Sequence, residues 1–240
     1  MVKDFLKAVG VNKISELFFM DGRLSFGLNL LYVKAIDIFH GTDFGGKHFG
    51  RILWDEAGTS RERANDYSAT PRNCITTLKR MYIKKNDSIM DMGCGKGLAM
   101  HYMSKFPFRR IGGIELSKKF CQSAKRNLTK LHTKEDIGRF EIICGDAGKY
   151  KYYENYDFFF IYNSFPRQVV KEVVQSICES INKKPRKVII LYLYPEFPRE
   201  ITNGGRFILL EKGGKNEIRC GMHIYVNKEC RNQKIYRKES

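Results

Sequence analysis

The run Asp91-Met-Gly93-Cys-Gly95-Lys-Gly97 combines a carboxylate with three glycines at alternate positions, a pattern suited to gripping a nucleotide-like ligand through the backbone. Glycine serves there in two ways: it tolerates positive φ in a tight turn, and its missing side chain lets the main chain approach a ligand closely. If the turn opens a helix, the exposed amides of the first helical turn favour a carboxylate or phosphate. Glu115 stands 24 positions after Asp91, where an acidic side chain can accept hydrogen bonds from both hydroxyls of a ribose. Gly145-Asp146-Ala147 adds a carboxylate that can accept from an exocyclic adenine amine, with small Ala147 leaving room for the ring.

A glycine-rich turn can also be a plain strand-to-helix connector, so the three features count only together. Two rival nucleotide sites fit less well. A P-loop needs lysine followed by serine or threonine, whereas Gly97 follows Lys96 and offers no hydroxyl to a magnesium ion. The dinucleotide fingerprint places its third glycine one position beyond Gly97, and no second mononucleotide-binding half is evident.

The elements that must position these residues follow from the hydrophobic pattern. Short β-branched or aromatic runs at 88–92, 111–115, 140–144, 157–162 and 187–193 read as buried strands. Helical segments at 98–105, 117–131 and 168–181 separate them. This alternation predicts an α/β, Rossmann-like, doubly wound and mostly parallel sheet with right-handed crossovers. Runs at 206–212 and 217–226, separated by Gly213-Gly214-Lys215-Asn216, predict a C-terminal antiparallel hairpin at one sheet edge. Ahead of the sheet, Thr70 can cap and Pro71 can start a helix continuing through 74–81. The chain divides near residue 65: residues 1–65 read as an N-terminal extension with helices at 12–19 and 24–39 and a mobile loop at 41–50, and residues 66–240 as the ligand-binding domain. There is no internal repeat or low-complexity block.

Asp91-x-Gly93-Cys94-Gly95-x-Gly97, Ile114-Glu115-Leu116-Ser117 and Cys144-Gly145-Asp146-Ala147 resemble motifs I, II and III of class I S-adenosylmethionine-dependent methyltransferases, over roughly residues 65–226. The resemblance implies that Gly93, Gly95 and Gly97 pass under the methionine part of the cofactor. It implies that Glu115, with Leu116 beside it, holds the ribose, and Asp146, with Ala147, the adenine. Asp91 would support the loop or reach the methionine ammonium through water. More narrowly, Tyr67-Ser-Ala-Thr70-Pro71 and Tyr162-Asn163-Ser-Phe165-Pro166 are similar to bacterial methyltransferases of mostly unassigned substrate and, more loosely, to the histone-lysine and ATP-synthase-subunit lysine methyltransferases. By that similarity Tyr67 and Thr70 cover the cofactor and Asn163 faces the methyl group. The first 65 residues match no such motif.

Methyl transfer from a sulfonium is an in-line displacement, so the protein mainly aligns and desolvates the reactants. Asn163 is the leading catalytic candidate, since its carbonyl can accept from an acceptor amine and aim the lone pair; it is equally suited to capping a strand end. Phe165 can wall the site against water or simply pack in the core. An amine of a protein side chain is the expected acceptor, with the 41–50 loop helping to admit it. A nucleic-acid base amine is the alternative. Asn163-Ser164-Phe165 has a passing likeness to the Asn-Pro-Pro-Phe/Tyr motif of amino-methylating enzymes, from which Ser164 and the late Pro166 depart. A small-molecule acceptor, or a cofactor-binding module without catalysis, completes the alternatives.

The formal net charge of +17 would concentrate a polyanion near the surface, although Lys183-Lys184-Pro185-Arg186-Lys187 can equally be a solvated face. Seven cysteines, at 74, 94, 121, 144, 178, 220 and 230, show neither Cys-x-x-Cys nor zinc spacing and read as reduced thiols. No metal site is expected. The longest uncharged run near the start, 24–33, is about half the roughly 20 residues of a membrane span, and no signal-peptide cleavage pattern follows Met1. A soluble, cytoplasmic protein is the expectation, with its oligomeric state open.

Overall fold

The computed structural model describes residues 24–45, 58–213 and 221–237. One seven-stranded sheet organises them, in the order β3-β2-β1-β4-β5-β7-β6. Its strands are β1 (Ser88–Met92), β2 (Arg110–Glu115), β3 (Phe140–Cys144), β4 (Phe158–Tyr162), β5 (Ile189–Leu193), β6 (Phe207–Lys212) and β7 (Met222–Asn227). Strands β1 to β5 run parallel, and β7 enters antiparallel between β5 and β6. This is the doubly wound, Rossmann-like arrangement that the alternation predicts, with strand order reversing between β1 and β4. Ligands bind at such a reversal, outside the carboxyl ends of the strands.

Strand pleating divides the core into two layers. Phe158 and Phe160 of β4, with Ile189 and Leu191 of β5, face a layer built on α1 (Leu24–His40), α2 (Thr76–Arg80) and α3 (Leu98–Met103). The alternate residues Phe159, Ile161, Ile190 and Tyr192 face the other layer. There, after α4 (Lys118–Leu131) and the short α5 (Lys134–Ile137), the long α6 (Arg167–Lys183) lays down Val169, Val170, Val173, Val174, Ile177 and Ile181. That helical spacing makes one apolar stripe, and burying such a side chain contributes about 1.5–3 kcal/mol. A last short helix, α7 (Pro198–Thr202), precedes β6. Within β2, Gly112 and Gly113 leave room on opposite faces, where added Cβ atoms would lie 2.4 Å from the Tyr156 hydroxyl and 2.4 Å from the Met100 sulfur.

The differences from the expected elements lie at their ends. The helix expected over 74–81 is a 3-10 turn, Arg72–Ile75, followed by α2. The expected helix at 12–19 lies outside the described residues, as do 46–50 of the expected loop, Gly214-Lys215-Asn216 of the hairpin connection and residues 217–220 of its second strand. Residues 41–45 of that loop are tied down: Asp37 accepts from Thr42 Oγ1 (2.7 Å), Phe44 N (2.8 Å) and Gly45 N (2.8 Å). Val33, Ile36 and Phe44 also belong to the sheet's own core, so the described residues ahead of 65 pack as part of the same body. Among the described residues, no helix is long and apolar enough to cross a membrane.

Candidate cofactor site

β1 ends at Met92 and the chain turns at once, with Gly93, Gly95 and Gly97 at φ 78°, 52° and 87°. L side chains avoid that region, which is why glycine stands there. The turn is clipped to β2 by Gly93 N and Cys94 N, which donate to the Ile114 carbonyl at 2.9 and 3.0 Å. Gly97 caps α3 and faces α4, where an added Cβ would sit 3.3 Å from that of Ala124. Gly95 instead lies under an aromatic ring, with its missing Cβ 2.2 Å from Tyr67 Cε2.

Glu115, at the tip of β2, is tied into this turn. Its Oε2 accepts from Gly95 N at 2.9 Å and its Oε1 from Ser117 N at 2.8 Å. Burial raises its pKa, and the backbone N–H donors oppose that rise. Each carboxylate oxygen has a second lone pair, so both ribose hydroxyls can still be received. Asp91, on the adjacent strand, is buried; burial first, and the charge of Glu115 second, push its carboxyl up to about 8.

Asp146 follows the tip of β3 and accepts from Gly148 N at 2.9 Å. Both of its oxygens are also held by Arg63, through Nε at 2.9 Å and Nη2 at 2.7 Å, and the same guanidinium reaches Glu172 of α6 at 2.7 Å. Burial raises the Asp146 pKa, but Arg63 outweighs it and the net shift is downward. The hydrogen bonds to Glu172 and then Asp146 push Arg63 up.

The chain around Arg63 forms the outer wall. Asn65 N donates to the Ser164 carbonyl at 3.0 Å and Asn65 Nδ2 to the Asn163 carbonyl at 2.8 Å. The Tyr67 hydroxyl donates to the Phe44 carbonyl at 2.7 Å, and its ring lies 5.1 Å from that of Phe120. Between this wall and the strand tips lies a crevice of about 60 Å³. Pockets that bury a cofactor-sized ligand hold roughly 300–1,000 Å³.

Of the residues singled out in the sequence, Tyr67, Thr70, Asp91, Gly93, Glu115, Leu116, Asp146, Ala147 and Phe165 line this crevice together. Gly95 lies beneath Tyr67, Gly97 turns to α4, and Asn163 sits between two crevice residues, Tyr162 and Ser164, without lining it. Asn163 has φ 43°, and its buried Oδ1 has no hydrogen-bond partner among the described residues. Tyr194, just past β5, shares that conformation at φ 46°; its ring is 40% exposed and 6.2 Å from that of Tyr162. Such a conformation costs a non-glycine residue about 1–3 kcal/mol, and both residues stand just past the ends of neighbouring strands. Sequence reasoning missed Arg63, Asn65 and Tyr194. The first two sit in a charged stretch without periodicity, and Tyr194 was legible only as the residue following a strand.

The family described as "Methyltransferase domain" matches residues 89–184. An uncharacterized methyltransferase of Schizosaccharomyces pombe is 32% identical over 89 residues, which are 36% of this chain and 32% of that protein. The chain thus spans about a third of that curated relative's length. Among solved structures, the glycopeptide N-methyltransferase MtfA in complex with S-adenosyl-L-homocysteine superposes with a TM-score of 0.50 at 9% identity, covering 64% of this chain and 86% of that one. The methyltransferase domain of bacterial CtHen1-C gives 0.46 at 14% identity, over 64% and 92%. Residues 89–184 thus match the methyltransferase-domain family, and they lie in a sheet of doubly wound, Rossmann-like order. The residues of the site suit S-adenosylmethionine: Gly95 of the turn lies against the flat Tyr67 ring, and Glu115 and Asp146 at the next two strand tips each keep a lone pair for a ribose hydroxyl or an adenine amine.

Proposed function

We propose that the whole chain is an S-adenosylmethionine-dependent methyltransferase acting on an amine nitrogen of a protein side chain. Asn163 carries the acceptor assignment: a buried amide oxygen without a partner among the described residues, on a strained residue between two residues that line the crevice. A buried acceptor left unmatched costs about 1–3 kcal/mol, and an N–H of an incoming amine would remove that cost. A thiolate acceptor, having no proton to give, would not.

In this reading Gly93 and Gly95 receive the amino-acid end of the cofactor, with Gly97 packing their loop on α4. Glu115, beside Leu116, takes the ribose, and Asp146, beside Ala147, the adenine amine. Asp91 faces the ammonium, Tyr67 and Thr70 cover the cofactor, and Asn163 borders its methyl group. When bound, S-adenosylmethionine supplies an electrophilic methyl: the amine forms the N–C bond as the C–S bond breaks, sulfur keeps that electron pair, and the nitrogen releases a proton to water. Asn163 Oδ1 orients the amine, and Phe165 excludes water from the crevice. Residues 66–240 form the cofactor-binding domain, with 1–65 as an N-terminal extension. The scattered thiols fit a reducing, cytoplasmic setting.

A second reading, a base amine of nucleic acid, is favoured by the net charge of +17. Incubation with methyl-labelled cofactor and separated protein and RNA fractions of the host tests both. Label in protein is expected. Label confined to RNA moves the assignment to the second reading, and label in neither fraction excludes both macromolecular acceptors.

A further inference from the structure

A second and much larger cavity, of about 890 Å³, opens on the α1 and α3 side of the sheet. It adjoins the crevice without being part of it. Leu98 at the start of α3 lines the crevice, and Tyr102, one turn further along the same helix, lines the cavity; Thr70 and Arg72 divide in the same way.

Its walls carry four cations, Arg72, Lys79, Lys105 and Arg237, and no carboxylate among the described residues. Burial first, then the charges of Arg72 and Lys79, lower the pKa of Lys105, so like charges are held together there. All four side chains are exposed, so water screens part of that repulsion, and a bound anion would relieve the rest. Two of the cations are also anchored. Arg72 stacks 4.9 Å over the Tyr32 ring, and its backbone N–H donates to Asn29 Oδ1 at 2.9 Å. Arg237 Nε donates to the Met81 carbonyl at 3.1 Å. Asn29 is 8% exposed, and its Nδ2 has no partner among the described residues. That nitrogen is a spare donor in the cavity wall, beside the half-buried rings of Tyr32 and Phe106.

Several cations, a spare amide donor and aromatic faces around one cavity match a phosphate group joined to a flat ring. We infer that this cavity is a nucleotide-binding site, with Arg72, Lys79 and Lys105 on the phosphate and an aromatic wall against the base. The nucleotide can be free or one residue of a single-stranded nucleic acid, since stacking and phosphate contacts are the same in both. The inference does not depend on methyl transfer: no described residue lines both the cavity and the crevice.

The test is equilibrium binding to the full chain of three probes: pyrophosphate, AMP, and a short fluorescein-labelled oligouridylate. The wild type is compared with Lys79→Glu/Lys105→Glu and with a control of equal charge change, Lys183→Glu/Lys234→Glu, at exposed lysines outside the cavity. Circular dichroism and S-adenosylmethionine affinity, matched across the three proteins, establish that the variants fold. The expected result is roughly tenfold weaker binding in the cavity variant than in the control. For the oligonucleotide, the slope of log affinity against log salt should also fall by about 1.4, roughly 0.7 per lost phosphate contact on a single strand. AMP binding as tightly as the oligonucleotide identifies a free nucleotide; oligonucleotide binding alone identifies nucleic acid. Equal loss in both variants, or no binding of any probe to the wild type, overturns the inference.

Discussion

Arg63 holds both carboxylate oxygens of Asp146, at 2.9 and 2.7 Å, from a chain segment that lies across the mouth of the crevice. With Gly148 N also bound to Asp146, three of the four lone-pair positions of that carboxylate are in use. An incoming adenine amine must either take the fourth or displace Arg63. The crevice of about 60 Å³ favours displacement, because it is far smaller than the roughly 300 Å³ at the low end for ligands of that size.

Arg63→Gln is therefore expected to tighten S-adenosylmethionine binding. The pair is partly buried, with side chains 25% and 16% exposed; an ion pair that still meets solvent is worth about 1 kcal/mol, which corresponds to roughly fivefold in affinity. Calorimetric titration reads this directly, and weaker binding in the variant would mean that Arg63 supports the cofactor instead. Asp146→Ala should weaken binding by about 1–3 kcal/mol as a buried hydrogen bond is lost; unchanged affinity there removes the adenine assignment.

Gly95→Ala tests the glycine turn. Its φ of 52° costs an L side chain about 1–2 kcal/mol, and the new methyl would collide with the Tyr67 ring at 2.2 Å. The protein should stay folded and lose cofactor affinity. Retained affinity, measured together with a native circular dichroism spectrum, would dismiss the role of this turn.

The raised pKa of Asp91, about 8, keeps it protonated at neutral pH in the free protein. A cationic cofactor favours the carboxylate, so binding should release a proton and affinity should rise with pH between about 6 and 7.5, by at most about tenfold per unit. Titrations in buffers of different ionisation enthalpy count that proton. Asp91→Asn should release none, and proton uptake by the wild type would reverse the assignment.

His101 gives a stability prediction. Burial first, then His132, Lys105, His40 and Arg72, depress it from 6.5 to about 4, and its Nδ1 lies 3.0 Å from His132 Nε2. Between those values the unfolded chain binds the proton that the folded chain refuses, so stability falls as pH drops from about 6.5 to about 4. The contribution is at most about 3 kcal/mol. Raised carboxyls such as Asp91 act in the opposite sense, so the comparison is between wild type and His101→Gln in urea unfolding. The variant should lose less stability over that window, and parallel curves would exclude the effect.

The sheet was legible in the sequence because its strands are buried on both faces. Phe158 to Tyr162 and Ile189 to Leu193 read as continuous apolar runs, and β1 and β3 have the expected bounds. The crevice was legible where chemistry and strand ends coincide, at Gly93, Glu115 and Asp146. Arg63 was not, since its partners Asp146 and Glu172 lie 83 and 109 positions away and a charged side chain in an aperiodic stretch carries no sign of them. The orientation of Gly97 was also hidden: glycines at alternate positions look alike in sequence, yet one faces α4 and another an aromatic ring.

At the centre of this account is one adenosyl ligand shared by the tips of β1, β2 and β3. Calorimetric titration of the full chain with S-adenosylmethionine, repeated on Glu115→Ala, tests it most directly. Micromolar binding by the wild type and a loss of at least about tenfold in the variant, from missing hydrogen bonds to the ribose, are predicted. No binding heat from the wild type at several temperatures, with the protein folded, would contradict it.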